Sequence, residues 1–276
     1  MKFGVCVGTN IEKMNYIKSL GYDYAEGHCQ EIAQKDREHL DAMKATGLPM
    51  VAANCFIGLR IVGEEKDEAA INEYLAKLFA NASYLGLKYL VFGSSAARRI
   101  PEGMSLEEGR AQIVAFLKNN VLPLAEKYNI IIAIEPLRPE ECNAINTVAE
   151  GVEIARKIDS PYIKVLADVA HMYVQNESVE SLLDYKGWIV HAHTSNPNPD
   201  SSLGKKRIYP AIGDEFSQAS FVESLRAIGV EYCSIEADVI EFESDARNAY
   251  EALRVTGAIR TMPESESFQR FSAFRD

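Results

Sequence analysis

The sequence predicts a single (β/α)8 barrel, and three observations carry that prediction. Eight short runs rich in β-branched or aromatic residues fall near residues 2–7, 22–27, 50–55, 88–93, 130–135, 163–168, 188–194 and 232–236, as expected of buried strands. Segments of helical period lie between them, apart from a weaker stretch at 28–45, and such alternation implies a parallel sheet. The passages from helix to strand share a signature: Gly21-Tyr22-Asp23-Tyr24, Gly86-Leu87-Lys88-Tyr89 and Gly229-Val230-Glu231-Tyr232, with Gly47 before Leu48-Pro49-Met50 as a fourth case. Glycine suits the left-handed residue just past a helix end. Eight repeats favour closure into a barrel over an open sheet. No Gly-x-Gly-x-x-Gly follows the first strand, so a dinucleotide fold has little support.

The helices have starts and faces of their own. Thr9-x-x-Glu12, Ser105-x-x-Glu108, Thr147-x-x-Glu150 and Ser220-x-x-Glu223 each have the pattern of a capping box. Ile71, Leu75, Leu78, Ala82 and Leu85 keep one side of a helix apolar. Pro123 is expected to kink or break the segment that begins near Leu106. The barrel is assigned to residues 1–259. Residues 260–276, with Pro263, Ser265, Ser267 and three phenylalanines in a charged background, form a C-terminal arm. That arm is either a partly ordered tail or a segment docked on the barrel or on a second copy in a homo-oligomer.

Composition narrows the class. A length of 276 residues suits one such barrel, and 47% hydrophobic with 25% charged residues is ordinary for a soluble protein with a sizeable core. The formal net charge of −11 argues against a nucleic-acid partner, which needs clustered Lys and Arg. It leaves room for a neutral or phosphorylated small molecule held by one local basic group. Five cysteines at positions 6, 29, 55, 142 and 233, with no Cys-x-x-Cys pair, fit a reducing compartment. No apolar run reaches membrane-spanning length. Phe3-Gly4-Val5-Cys6-Val7 is too short for the core of a signal peptide. A cytoplasmic protein with no membrane partner is expected.

Four apolar runs point to chemistry. Ile130-Ile131-Ile132-Ala133-Ile134-Glu135, Ile163-Lys164-Val165-Leu166-Ala167-Asp168, Trp188-Ile189-Val190-His191-Ala192-His193 and Tyr232-Cys233-Ser234-Ile235-Glu236 all finish in a carboxylate or an imidazole. An isolated buried carboxylate is costly unless something pairs with it. In a (β/α)8 barrel the strand ends converge on one face, where active sites lie. Each group alone reads as a strand cap or an arginine partner; four together read as one metal site. Three carboxylates and one imidazole suit Mn²⁺, Mg²⁺ or Co²⁺ better than a thiolate zinc site. His191 and His193 share one face of their strand, and the sequence leaves open which of them ligates. His171, just beyond Asp168, is either a satisfied structural histidine or part of the site.

Glu135-Pro136-Leu137, Asp168-x-x-His171-Met172, His191-x-His193 and Glu236 together resemble the xylose-isomerase-like TIM-barrel sugar isomerase/epimerase superfamily, nearest its ketose 3-epimerase branch of the tagatose and psicose type. The resemblance runs from the first strand to about residue 257. It implies one divalent metal, Mn²⁺ first, held by Glu135, Asp168, His193 and Glu236. It also implies that Glu135 and Glu236 are the catalytic proton carriers. Further positions match substrate contacts: Glu141, six residues past Glu135; His171; and Arg207 of Arg207-x-x-Pro210-x-x-Gly213. The implied activity is epimerisation of a ketose or ketose phosphate through a metal-stabilised enediolate. In that reaction one glutamate removes a proton beside the carbonyl and the other returns one on the opposite face.

The chain departs from that pattern in three places. Arg138 stands where an Asn commonly follows Glu-Pro-Leu. Asn196-Pro197-Asn198-Pro199-Asp200-Ser201-Ser202 lengthens the loop before Arg207. Arg98 and Arg99 follow the fourth strand, where they are expected to meet a phosphate or carboxylate or to pair with acidic helices. Aldose–ketose isomerisation, hydroxypyruvate isomerisation and inosose dehydration use related chemistry on this scaffold. A phosphodiesterase resembling endonuclease IV would need more histidines than the five present. A sugar-binding barrel without catalysis would need neither proton-carrying glutamate.

Overall fold

Eight strands close on themselves in the computed structural model, which describes residues 1–197, 207–213, 218–255 and 257–258. In chain order they begin with β1 (Lys2–Cys6), β2 (Tyr24–His28), β3 (Met50–Asn54) and β4 (Tyr89–Phe92). Next come β5 (Ile131–Ile134), β6 (Ile163–Asp168) and β7 (Ile189–Thr194). A two-residue antiparallel ribbon follows, β8 (Asn196–Pro197) against β9 (Arg207–Ile208), before the last barrel strand, β10 (Tyr232–Ile235). Around the barrel the order is β1-β10-β7-β6-β5-β4-β3-β2, and the paired strands are parallel. This is the fold the sequence predicts. The second strand starts two residues later than the apolar pattern suggests, at Tyr24, and runs on to His28.

The helices are α1 (Ile11–Leu20), α2 (Cys29–Gln34), α3 (Arg37–Ala45), α4 (Glu68–Leu85) and α5 (Leu106–Phe116). They continue with α6 (Leu122–Tyr128), α7 (Val148–Ile158), α8 (Val169–Val174), α9 (Ala219–Ile228) and α10 (Phe242–Val255). Gly21, Gly86 and Gly229 close α1, α4 and α9 with φ of 100°, 80° and 87°, as the junction signature implies. The weak stretch at 28–45 holds two short helices, α2 and α3, too brief to show a clear period.

Two of the four capping boxes form, at Ser105 and Thr147. At α1 the cap is Asn10, because Thr9 gives its N–H and hydroxyl to Glu31 of α2. At α9 the cap position is Gln218, which leaves Ser220 inside the helix. The regular helix gives way just before Pro123, as expected: a π turn at Leu117–Val121 separates α5 from α6, and the ring that cannot donate sits in the first turn of α6.

The main core lies between the barrel and its helices, with Ile17, Leu75, Phe79, Ile132, Val152 and Leu225 among its members. Residues two apart on a strand face the same way, so the side chains that reach the site stand above an interior stack. Val91, Ala133 and Leu166 form one cluster there, and Tyr24, Val51 and Tyr232 another. No helix among the described residues is long and apolar enough to cross a membrane. The C-terminal arm and the inserted residues 198–202 lie outside the described residues.

Candidate metal centre

Glu135, Asp168, His193 and Glu236 meet at the C-terminal mouth of the barrel. Each offers one ligand atom, and the four atoms lie within 4.8 Å of one another. Nδ1 of His193 is 3.1 Å from Oε1 of Glu135, 3.1 Å from Oε2 of Glu236 and 3.9 Å from Oδ2 of Asp168. Glu135 and Glu236 sit one residue beyond β5 and β10, each tied to its neighbouring strand by its own N–H: to Phe92 O at 3.2 Å and to Thr194 O at 3.2 Å. Asp168 divides its oxygens. Oδ1 caps α8 by accepting from Ala170 N at 2.7 Å, which leaves Oδ2 facing the cluster.

The choice between the two histidines follows from height along β7. His193 lies in the cluster, whereas His191, one side-chain repeat lower, sends Nε2 to Glu26 Oε2 at 2.8 Å. His193 Nε2 reaches the other oxygen of the same carboxylate, Glu26 Oε1, at 2.9 Å. Glu26 also accepts from Ser234 Oγ at 2.5 Å, and Tyr24 Oη lies 2.7 Å from that hydroxyl. Burial by itself would raise the Glu26 carboxyl, but the charges and hydrogen bonds of the two imidazoles outweigh it and lower it to about 2. A carboxylate behind a ligating histidine fixes the tautomer and aims the other nitrogen at the metal position. Glu26 was not among the sequence candidates, because it lies inside β2, two residues before the strand's end, rather than finishing an apolar run. Asn54 was missed as well; it ends β3 and donates Nδ2–H to Glu236 Oε1 at 2.5 Å.

The two glutamates differ electrostatically. Burial and the neighbouring Glu236 raise the Glu135 carboxyl above its ordinary value. Burial acts on Glu236 too, but Arg207 and His193 overcome it and hold that carboxyl well below the usual range. His193 is opposed by burial but lifted well above an ordinary imidazole by Glu26, Glu236 and Glu135.

The positions matched to substrate contacts lie around this cluster. Arg207 touches the cluster itself, with Nη1 2.7 Å from Asp168 Oδ2 and Nη2 2.8 Å from Glu236 Oε2. His171 is 3% exposed, and its Nε2 stands 4.0 Å from Asp168 Oδ2. Its Nδ1 accepts the Arg138 backbone N–H at 3.2 Å, which leaves Nε2 as the protonated nitrogen of the neutral ring. Glu141 is held by Arg138, whose Nε donates to Oε1 at 2.8 Å. Burial raises the Glu141 carboxyl, but Arg138, His171 and Arg207 outweigh it and bring it below its ordinary value.

Arg98 and Arg99 do not pair with acidic helices among the described residues. Neither is in an ion pair among the described residues; both donate to backbone carbonyls, Arg98 to Phe92 and Glu135, Arg99 to Glu140 and Glu141. Arg98 is fully buried, whereas Arg99 is exposed.

The family described as xylose isomerase-like TIM barrel matches residues 14–258. Among characterised proteins, 3-dehydro-D-guloside 4-epimerase of Escherichia coli (strain K12) is 23% identical over 67% of this chain and 74% of its own. A crystal structure of D-allulose 3-epimerase from Methylomonas sp. in complex with D-allulose aligns with a TM-score of 0.76 at 19% identity, over 93% of this chain and 97% of that one. That of the IOLI protein with a binding zinc atom aligns at a TM-score of 0.69 and 20% identity, over 95% of this chain and 100% of that one.

Proposed function

Because this chain belongs to the xylose isomerase-like TIM barrel family, we propose that it is a divalent-metal-dependent sugar epimerase that inverts C3 of a ketose through an enediolate. The observation that carries the reading is the meeting of Glu135 and Glu236 in one four-residue cluster. Two carboxylates at one centre are suited to remove a proton and return it.

The donor set fits a hard divalent cation: three carboxylates and an imidazole converge, and the imidazole is oriented from behind by a buried carboxylate. Glu135, Asp168, His193 and Glu236 would hold that cation, Mn²⁺ in our reading with Mg²⁺ or Co²⁺ as substitutes, and it would polarise the sugar carbonyl and offset the charge left by deprotonation.

The residues of the chain supply the remaining steps. One of Glu135 and Glu236 removes the proton from the carbon beside the carbonyl. The other, at the same centre, returns one to the opposite face of the planar enediolate. In the reverse direction the roles exchange. His171 presents Nε2–H to a substrate oxygen, and Arg207 and Glu141 hold hydroxyls farther along the chain of the sugar.

The Escherichia coli relative favours a second reading, inversion beside the ring ketone of a keto-glycoside, since its name places the inverted centre at C4. Both readings share the proton chemistry and differ in the carbon labelled. Manganese-loaded enzyme in D₂O, followed by NMR, should place deuterium at C3 of a ketose substrate. Label at C4 of a 3-keto-glycoside would shift the assignment to the second reading, and label at C1 or C2 would indicate aldose–ketose isomerisation. No exchange of carbon-bound hydrogen in any ketose, ketose phosphate or keto-glycoside would overturn the proposal.

A further inference from the structure

We propose that Gly93 and Arg98, two residues of the loop after β4, are positioning residues for the Glu135 carboxylate; the proposal rests on the reading of Glu135 as a metal ligand. The first observation is one of space. A β-carbon at Gly93 would stand 1.8 Å from Glu135 Oε2 and 3.0 Å from its carboxyl carbon, far inside any permitted contact. Gly93 is not at positive φ. Its missing side chain is therefore explained by the carboxylate lying over it rather than by backbone geometry.

The second observation concerns Arg98. The residue is 0% exposed, yet among the described residues its guanidinium donates to carbonyls: Nη1 to Phe92 O at 2.6 Å and Nη2 to Glu135 O. Its Nε has no partner, and the guanidinium lies 5.2 Å from the centre of the Phe92 ring. A buried cation with an idle donor is costly, and an apolar side chain of similar volume would often serve stability as well or better.

What Arg98 provides is geometric. The Glu135 N–H donates to Phe92 O at 3.2 Å, and the Glu135 carbonyl accepts from the same guanidinium that holds Phe92 O. Both peptide groups of Glu135 are thereby tied to one point beyond the sheet, past the last residue of β5. Arg98 fixes where the side chain of Glu135 starts, and Gly93 leaves the space in which it ends.

A double-mutant cycle tests this, read as Mn²⁺ affinity by calorimetry and as melting temperature of the chelated protein. Glu135→Ala should weaken Mn²⁺ binding, as should Gly93→Ala and Arg98→Met, each by about tenfold or more. In the Glu135→Ala background neither second substitution should change affinity by more than about twofold, because the group they position is gone. Losses of equal size in both backgrounds, or unchanged affinity in Gly93→Ala and Arg98→Met when Glu135→Ala is impaired, would overturn the proposal.

If Gly93→Ala alone does not fold, the double variant Gly93→Ala/Glu135→Ala should fold and melt with Glu135→Ala; failure of the double variant to fold counts against us. If Glu135→Ala binds Mn²⁺ like the parent, the ligand reading falls. The coupling between Gly93 and Glu135 in melting temperature then decides the spatial claim by itself.

Discussion

His193 Nε2 lies 2.9 Å from Glu26 Oε1, and both side chains are fully buried. One carboxylate from the middle of β2 thus sets the orientation of an imidazole that reaches the centre from β7. Glu26→Gln leaves the shape nearly unchanged but removes the charge that holds two imidazoles. Mn²⁺ affinity, measured by calorimetric titration, should fall by about 10- to 100-fold, the range typical of outer partners of ligating histidines.

Glu135→Gln and Glu236→Gln should each lose nearly all turnover in the deuterium-exchange assay even at saturating Mn²⁺. The double variant should be little worse than either single one, because groups that act as a unit are strongly non-additive. Near-parental exchange in either metal-loaded single variant would remove the proton-carrying role.

His171 should act as a donor rather than a base, since its Nδ1 is taken by the Arg138 N–H at 3.2 Å. His171→Phe should lower kcat/KM by about 10²- to 10³-fold, the loss typical of one well-placed donor. His171→Gln, which retains an N–H, should recover part of it. Equal rates for the Phe and Gln variants would contradict the donor role.

Arg207 bridges Asp168 and Glu236 at 2.7 and 2.8 Å. Arg207→Met leaves both carboxylates without that cation, so chelated protein should lose about 3 kcal/mol by urea denaturation, as when one partner of a largely buried pair is removed. Added Mn²⁺, which supplies positive charge at the same carboxylates, should restore more stability to the variant than to the parent.

Glu177 accepts the Val148 N–H at 2.9 Å beneath the start of α7. Burial raises its carboxyl, an effect that this bond only partly offsets and that Glu150 reinforces. The folded chain therefore holds this proton to higher pH than the unfolded chain. Stability falls as pH rises from the ordinary carboxylate range through the raised folded value, and the penalty persists at neutrality. Glu177→Gln should melt higher than the parent at pH 7, by less than about 1 kcal/mol given its partial exposure, and equal to it in acid. An equal difference at both pH values would exclude this titration as the cause.

Much of the fold was legible because strand endings and glycine junctions are local signals. The cluster of Glu135, Asp168, His193 and Glu236 followed from one rule, a polar group at the end of a buried run. Asn54 ends β3 and fits that rule with an amide in place of a charge, whereas Glu26 lies inside β2, two residues before its end, where the rule does not look. His191 and His193 could not be separated by alternation, which reports the face of a strand and not the height along it. The burial of Arg98 was invisible for a different reason: a charged residue in a loop reads as solvated, whereas the structure buries it completely. The Thr9 box failed through tertiary competition, because Glu31 is far in sequence and adjacent in space.

The four ligand candidates lie between Glu135 and Glu236, whereas the groups that aim them, Glu26 and Asn54, lie near the start of the chain. The last of the four rides on β10, which pairs with β1 on one side and β7 on the other. During synthesis on the ribosome, three donors emerge before the fourth, and β1 and β7 wait with open edges until β10 arrives. The centre is therefore assembled at the closing seam of the barrel. A chain ending before β10 lacks both the fourth donor and the strand that joins β7 to β1, and a fragment starting at β5 carries all four donors but lacks the carboxylate that orients His193.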